Sequence, residues 1–258
     1  MKPLKNSLRA LKREGIYMKK VLVVLLAAAM VLSMAACKEN TTKKSAGVMT
    51  YAQYVEAALD SEVTVECYVQ DHQSWWDNKI TVYAMDGDGG YFLYNMACTE
   101  EDAAKLVPGT KIKVKGFKSQ WAGEVEITDG TFEIEKGKFI ASAKDVTSAF
   151  GTDKFMDYAN QFIALKGLTI EASKDADGKE VPFLYNWDGS GEPGSDLYFN
   201  VSLNGTTYNF TVESYLRGKD TDVYKAVEGL KVGDKIDLEG FLYVYEGPQA
   251  HVTKVTVK

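Results

Sequence analysis

Leu106-Val107-Pro108-Gly109-Thr110-Lys111-Ile112-Lys113-Val114-Lys115-Gly116-Phe117 returns later in the chain as Leu230-Lys231-Val232-Gly233-Asp234-Lys235-Ile236-Asp237-Leu238-Glu239-Gly240-Phe241. The offset is 124 residues, and Leu, Gly, Lys, Ile, Gly and Phe fall on the same positions in both copies. The register continues without a gap to Trp121 against Tyr245 and Gly123 against Gly247. A fixed internal offset of this kind is the mark of a duplicated structural unit. Within each copy, alternation of apolar and polar residues after the glycine predicts a strand with one buried face.

Working outward, each copy has the same order of elements. Upstream in the first lie strand patterns at 63–70, 79–85 and 91–96, the last two joined by the turn Asp86-Gly87-Asp88-Gly89-Gly90. A short helix follows, with Thr99 as its cap and Asp102 as partner; then come strands at 111–118 and 124–134. The second copy gives strands at 162–172, 197–203 and 208–213, a helix opened by Asp220 or Thr221, and strands at 235–244 and 251–257. Three strands, a helix and two strands, twice over, resemble the OB-fold, a five-stranded barrel. The expected class is therefore all-β with short helices: two tandem OB-fold-like five-stranded barrels over 50–143 and 153–258, with a linker at 144–152.

The N-terminal region reads differently. Lys19-Lys20, an apolar run from Val21 to Leu32 and small residues thereafter form a secretory signal, with Met18 as its natural start. The run is shorter than the roughly 20 residues a membrane-spanning helix needs. Met34-Ala35-Ala36-Cys37 resembles the bacterial lipobox, although that family prefers Leu where Met34 stands. The resemblance implies a signal peptide over 1–36, lipid on Cys37 as the first mature residue, and a polar tether over 37–49. With the repeat, the chain resembles the tandem OB-fold lipoproteins of gut-type Gram-positive bacteria. What the resemblance implies is fold, export and a lipid-anchored place at the cell membrane surface.

Charge and chemistry narrow the function. Residues 1–36 carry seven basic side chains and one acid; the remainder holds 23 basic and 35 acidic groups, about −12 in all. This balance speaks against nucleic acid as a partner. The solvent-facing lysines expected at Lys111, Lys113, Lys115 and Lys118 would favour it, but the second copy has Asp237 and Glu239 in place of Lys113 and Lys115. His72 and His251 stand apart with no nucleophile motif and read as surface histidines. The turns Asp86-Gly87-Asp88-Gly89 and Asp175-Ala176-Asp177-Gly178 lack EF-hand spacing and read as hairpin turns. Cys67 reads as a buried thiol rather than half of a bridge to Cys98. No enzyme activity, metal or cofactor is expected.

Aromatic residues remain. Trp75 and Trp76 fall between strands one and two of the first copy and Trp121 between strands four and five; Trp187 and Tyr245 hold the corresponding loops of the second, and Tyr243, at the end of its fourth strand, is a further candidate. These loops shape the ligand face of an OB-fold. The expected function is a non-enzymatic binding module that takes a glycan-like ligand or a protein partner through aromatic loops, with Trp75, Trp76 and Trp121 on one surface. Single-strand nucleic-acid capture and a structural role in an envelope complex are the alternatives.

Overall fold

The computed structural model describes residues 41–258. The signal segment, Cys37 and the first residues of the tether lie outside the described residues. The first barrel comprises β1 (Glu62–His72), β2 (Lys79–Met85), β3 (Gly90–Ala97), β4 (Thr110–Trp121) and β5 (Glu124–Lys138). They run in the order β1-β2-β3-β5-β4, and β4 pairs back onto β1 to close the ring. A helix α1 (Tyr51–Glu56) precedes the barrel, and a single turn of helix, α2 (Glu100–Ala103), joins β3 to β4.

The second barrel repeats this plan with β6 (Phe162–Glu171), β7 (Leu197–Leu203), β8 (Thr206–Val212), α3 (Asp222–Glu228), β9 (Lys235–Phe241) and β10 (His251–Val257). Its order is β6-β7-β8-β10-β9, closed where β9 meets β6. In both barrels the third and fifth strands are parallel neighbours, Phe92 opposite Glu126 and Thr211 opposite His251. This shared order and closure make each unit an OB-type barrel, as the repeat predicts.

The repeated residues explain the closure. Ile112 and Val114 of β4 and their repeat mates Ile236 and Leu238 of β9 all point into their own barrel cores. Gly116 and Gly240 stand where the register slips between the fourth and fifth strands. A Cβ on Gly116 would meet the Thr128 carbonyl oxygen at 2.7 Å, and one on Gly240 the His251 carbonyl oxygen at 2.4 Å. Only glycine lets the neighbouring backbones approach so closely at the bend that curls the sheet.

Each barrel has its own core, around Val65, Val82, Leu93 and Val114 in the first and Leu165, Phe199, Phe210 and Leu238 in the second. A third cluster of Tyr83, Phe92, Leu216, Phe241 and Tyr243, with Phe162 against it, lies between them, so residues 41–258 form one compact unit. Here the repeat is broken: Phe117 is exposed, whereas its mate Phe241 is buried in this cluster. Residues 144–152, polar enough to read as a linker, belong to the second barrel. Lys144–Asp145 pair with β6, and Val146, Ala149 and Phe150 are buried in its core.

Two further differences from the sequence reading have electrostatic causes. Lys118 does not face solvent: its Nζ donates to the carbonyls of Tyr54, Val55 and Ala57 at 3.1, 2.7 and 2.7 Å. It thereby serves acceptors at the C-terminal end of α1, where the Tyr54 carbonyl also receives Ala57 N at 3.2 Å. The tether is docked from Thr41 onward. Lys44 Nζ reaches Asp86 Oδ2 at 2.6 Å and the Glu66 carbonyl at 2.8 Å, both ion-pair side chains being almost fully buried. Asp86 also accepts from its own turn at Asp88 N and Gly89 N, so the acidic turn is closed by protein groups. Lys111 pairs with Glu135 and with Glu66, whose side chain is buried, and Lys115 pairs with Glu62 at the surface. Cys67 and Cys98 are both buried free thiols.

Candidate functional site

The turn of barrel one between β4 and β5 and its repeat mate between β9 and β10 pair with each other. Ala122 and Gly123 take φ of 49° and 99°, and Glu246 and Gly247, each 124 positions on, take 54° and 152°. Glu246 N donates to the Ala122 carbonyl at 2.7 Å, and Gly123 forms a bridge with Tyr245. Below them Glu124 accepts from Val244 N at 2.9 Å and from Asn160 Nδ2 at 2.6 Å. Burial pushes the Glu124 carboxyl up to about 8.

This pairing brings Trp121 and Tyr245 together with ring centroids 5.3 Å apart and planes at 47°. They form one wall of a cleft of about 470 Å³ between the barrels, whose other lining residues are Trp187, Tyr198, Asn209, Tyr243, Gln249 and His251. The size falls within the range of small-molecule sites. Trp187 and Trp121 are exposed at the rim, 76% and 56%, whereas Tyr243 and His251 form a floor that is 9% and 7% exposed. Tyr243 stacks on His251 at 4.2 Å. Trp187 stands on the long β6–β7 connection, which α3 holds down: Tyr224 Oη donates to the Ser195 carbonyl at 2.6 Å and accepts from Gly194 N at 2.8 Å.

The polar groups of the cleft are uncharged. His251 is not at the surface, as its isolation in the sequence suggests, because the start of β10 places it against Tyr243; burial lowers its pKa to about 3 and keeps it neutral. Its Nδ1 is 2.6 Å from the hydroxyl of Tyr83, contributed by β2 of the other barrel. Asn209 Nδ2 donates to Asn200 Oδ1 at 2.9 Å, and Asn200 Nδ2 donates to the Ala172 carbonyl at 3.2 Å. Because a carbonyl only accepts, this chain fixes the orientation of both amides.

Of the aromatic residues singled out in the sequence, the fold brings together Trp121, Trp187, Tyr243 and Tyr245. Trp75 and Trp76 do not join them, so the expected single surface of Trp75, Trp76 and Trp121 is corrected. Trp75 packs on the first barrel's core and donates its indole N–H to the Cys98 carbonyl at 2.8 Å. Trp76, 77% exposed, stands over a separate hollow with Tyr94 and Tyr215. The two diverge because adjacent residues of an extended segment point to opposite sides. Sequence reasoning missed Tyr198, Asn209, Gln249 and His251. Gln249 and His251 are separated by two, the spacing that puts side chains on one face of a strand, and this was the available signal.

No protein-family model and no curated protein matches the sequence. Among solved structures, the chain is similar to the p204 HINb domain, at 12% identity over 78% of this chain and 100% of that one, with a TM-score of 0.33. It is similar to the Ifi202 HINa domain in complex with 20-bp double-stranded DNA, at 9% identity over 77% and 98%, TM-score 0.33. It is also similar to a replication protein A heterotrimer bound to single-stranded DNA, at 11% identity over 76% and 49%, TM-score 0.32. The likeness is one of overall architecture. Two of these structures are described with DNA bound, which runs against the expectation of no nucleic-acid partner. Net charge is a sum over the whole chain and leaves the character of any one face open.

Proposed function

We propose that this chain is a binding protein rather than an enzyme, and that the cleft between its barrels takes unpaired bases of a single-stranded nucleic acid by stacking. The observation that carries this reading is the convergence of Trp121, Trp187, Tyr243 and Tyr245 over a floor with neutral hydrogen-bonding groups at Asn209, Gln249 and His251. Flat rings with a polar edge suit such a lining, and base stacking on aromatic side chains contributes about 1–3 kcal/mol per base. None of the lining residues is a lysine or arginine, so few phosphates are neutralised and affinity should depend weakly on salt. The test is fluorescence anisotropy of labelled oligothymidylate over a range of salt concentrations. Saturable binding with a shallow salt slope supports the reading; no binding at low salt removes it.

The same neutral lining favours a second reading, a glycan whose ring stacks on Trp121 or Trp187. A panel of neutral oligosaccharides run in parallel, binding where oligothymidylate does not, would establish it.

The setting we propose is the outer surface of a cell membrane, with the chain held by lipid on Cys37. Lys19-Lys20, the apolar run to Leu32 and Met34-Ala35-Ala36-Cys37 support it. Replacing Cys37 with Ser should move the protein from the membrane fraction to the soluble fraction or leave an uncleaved precursor. A variant processed and fractionated like the parent overturns the assignment.

A further inference from the structure

The buried histidine on the floor of the cleft has one ring nitrogen engaged and one without a partner among the described residues. His251 Nδ1 lies 2.6 Å from Tyr83 Oη, and the other neighbour of that hydroxyl is Gln73 Nε2, a donor, at 3.5 Å. A phenol that receives from an amide has one acceptor left for its own proton, which is Nδ1. A neutral imidazole accepting at Nδ1 carries its hydrogen on Nε2. Asn209 is committed in the opposite sense. With its Nδ2 spent on Asn200, and Asn200 oriented by the Ala172 carbonyl, Asn209 keeps Oδ1 as an acceptor in the cleft lining.

We propose that Tyr83 is a positioning residue that fixes His251 as a hydrogen-bond donor, so that the cleft selects a flat ring whose edge carries an acceptor beside a donor. This rests on the reading of the cleft as a ligand site. The pairing edge of a nucleobase has that arrangement: in thymine a carbonyl oxygen faces His251 Nε2–H while the ring N–H faces Asn209 Oδ1. In a duplex the same edge is occupied by the complementary base. The cleft therefore takes a single strand and refuses the same strand once annealed. Tyr83 comes from the first barrel and His251 from the second, so the junction between barrels itself sets the selectivity.

The experiment uses the full chain with uniform nitrogen labelling and reads the His251 ring nitrogens by long-range proton–nitrogen correlation. The expected pattern is a protonated Nε2 and an unprotonated Nδ1 in the wild type, and mixed tautomers in Tyr83→Phe. Oligothymidylate should bind Tyr83→Phe and Asn209→Ala about 10-fold more weakly than wild type, the loss expected of one hydrogen bond. The annealed duplex should not bind. A protonated Nδ1 in the wild type overturns the inference even if the strand binds, and so does a duplex bound as tightly as the single strand. If wild-type protein shows the Nε2–H pattern but binds no oligothymidylate, it is the ligand reading that fails, while the role of Tyr83 toward His251 stands.

Discussion

Trp121 and Tyr245 occupy the same position in the two copies of the repeat and touch each other across the junction, their ring centroids 5.3 Å apart. A duplicated turn has thus become one half of a shared wall. Both rings remain substantially exposed, 56% and 43%, so they contribute little to either core and are available to a ligand.

Removing them should separate binding from stability. The double variant Trp121→Ala, Tyr245→Ala should lose at least 10-fold in affinity for oligothymidylate, given about 1–3 kcal/mol per stacked base. Its thermal midpoint should fall by no more than a few degrees. Titration alongside a melting curve checks both, and a collapsed melt with unchanged affinity would assign the rings to packing instead.

Lysine replacements should discriminate a helix cap from a surface charge. Lys118→Met leaves the Val55 and Ala57 carbonyls at the end of α1 without their donor and takes one of two donors from the Tyr54 carbonyl, and it should cost about 1–3 kcal/mol. Lys113→Met, on the same strand, should be near neutral. Urea unfolding of the two variants gives the comparison directly, and equal stabilities would contradict the buried ammonium.

Gly240→Ala should destabilise the second barrel by about 1–3 kcal/mol or more, because its Cβ has no room beside the His251 carbonyl. Gly218→Ala, whose nearest neighbour would be the Ser214 carbonyl oxygen at 3.6 Å, is the control. If both variants melt like the parent, the close approach of β9 and β10 is not what demands glycine there.

Stability should respond to pH in two opposed windows. His251 has a pKa lowered by burial from 6.5 to about 3, so the unfolded chain takes up its proton first; stability present above 6.5 is lost as pH falls toward 3. Glu124 and Glu213 are raised from 4.5 to about 8 and about 7, with burial the main cause. Their protonated forms favour the folded state, so that contribution is complete below 4.5 and is lost as pH rises to 8. Chemical denaturation across pH 3 to 8 should show a weaker acid-side loss in His251→Phe and a flatter neutral-side decline in Glu124→Gln. Parallel wild-type and variant curves would contradict these assignments.

Much of this architecture was legible in the repeat. The Gly-x-Lys-Ile pattern and the trailing Gly-Phe marked the fourth strand of each barrel, because core-facing alternation and a closure glycine leave a local signature. Trp121, Trp187 and Tyr245 were legible as loop aromatics, and Tyr243 as a candidate at the end of a strand. That they share one cleft was not, since their meeting depends on how two barrels pack and no local pattern encodes it. His251 and Lys118 were misread for the same reason: a polar side chain is buried when a distant partner such as Tyr83 or the end of α1 receives it. Phe117 and Phe241 look identical in the repeat, yet only the second meets a neighbouring barrel.

The chain contains four tryptophans, which makes the indole N–H region of a proton–nitrogen correlation spectrum a direct map of the site. On addition of oligothymidylate, the Trp121 and Trp187 signals should shift and saturate together while those of Trp75 and Trp76 stay in place. Shifts confined to Trp76, or no shift at any of the four at saturating strand, would contradict the cleft between the barrels as the binding site.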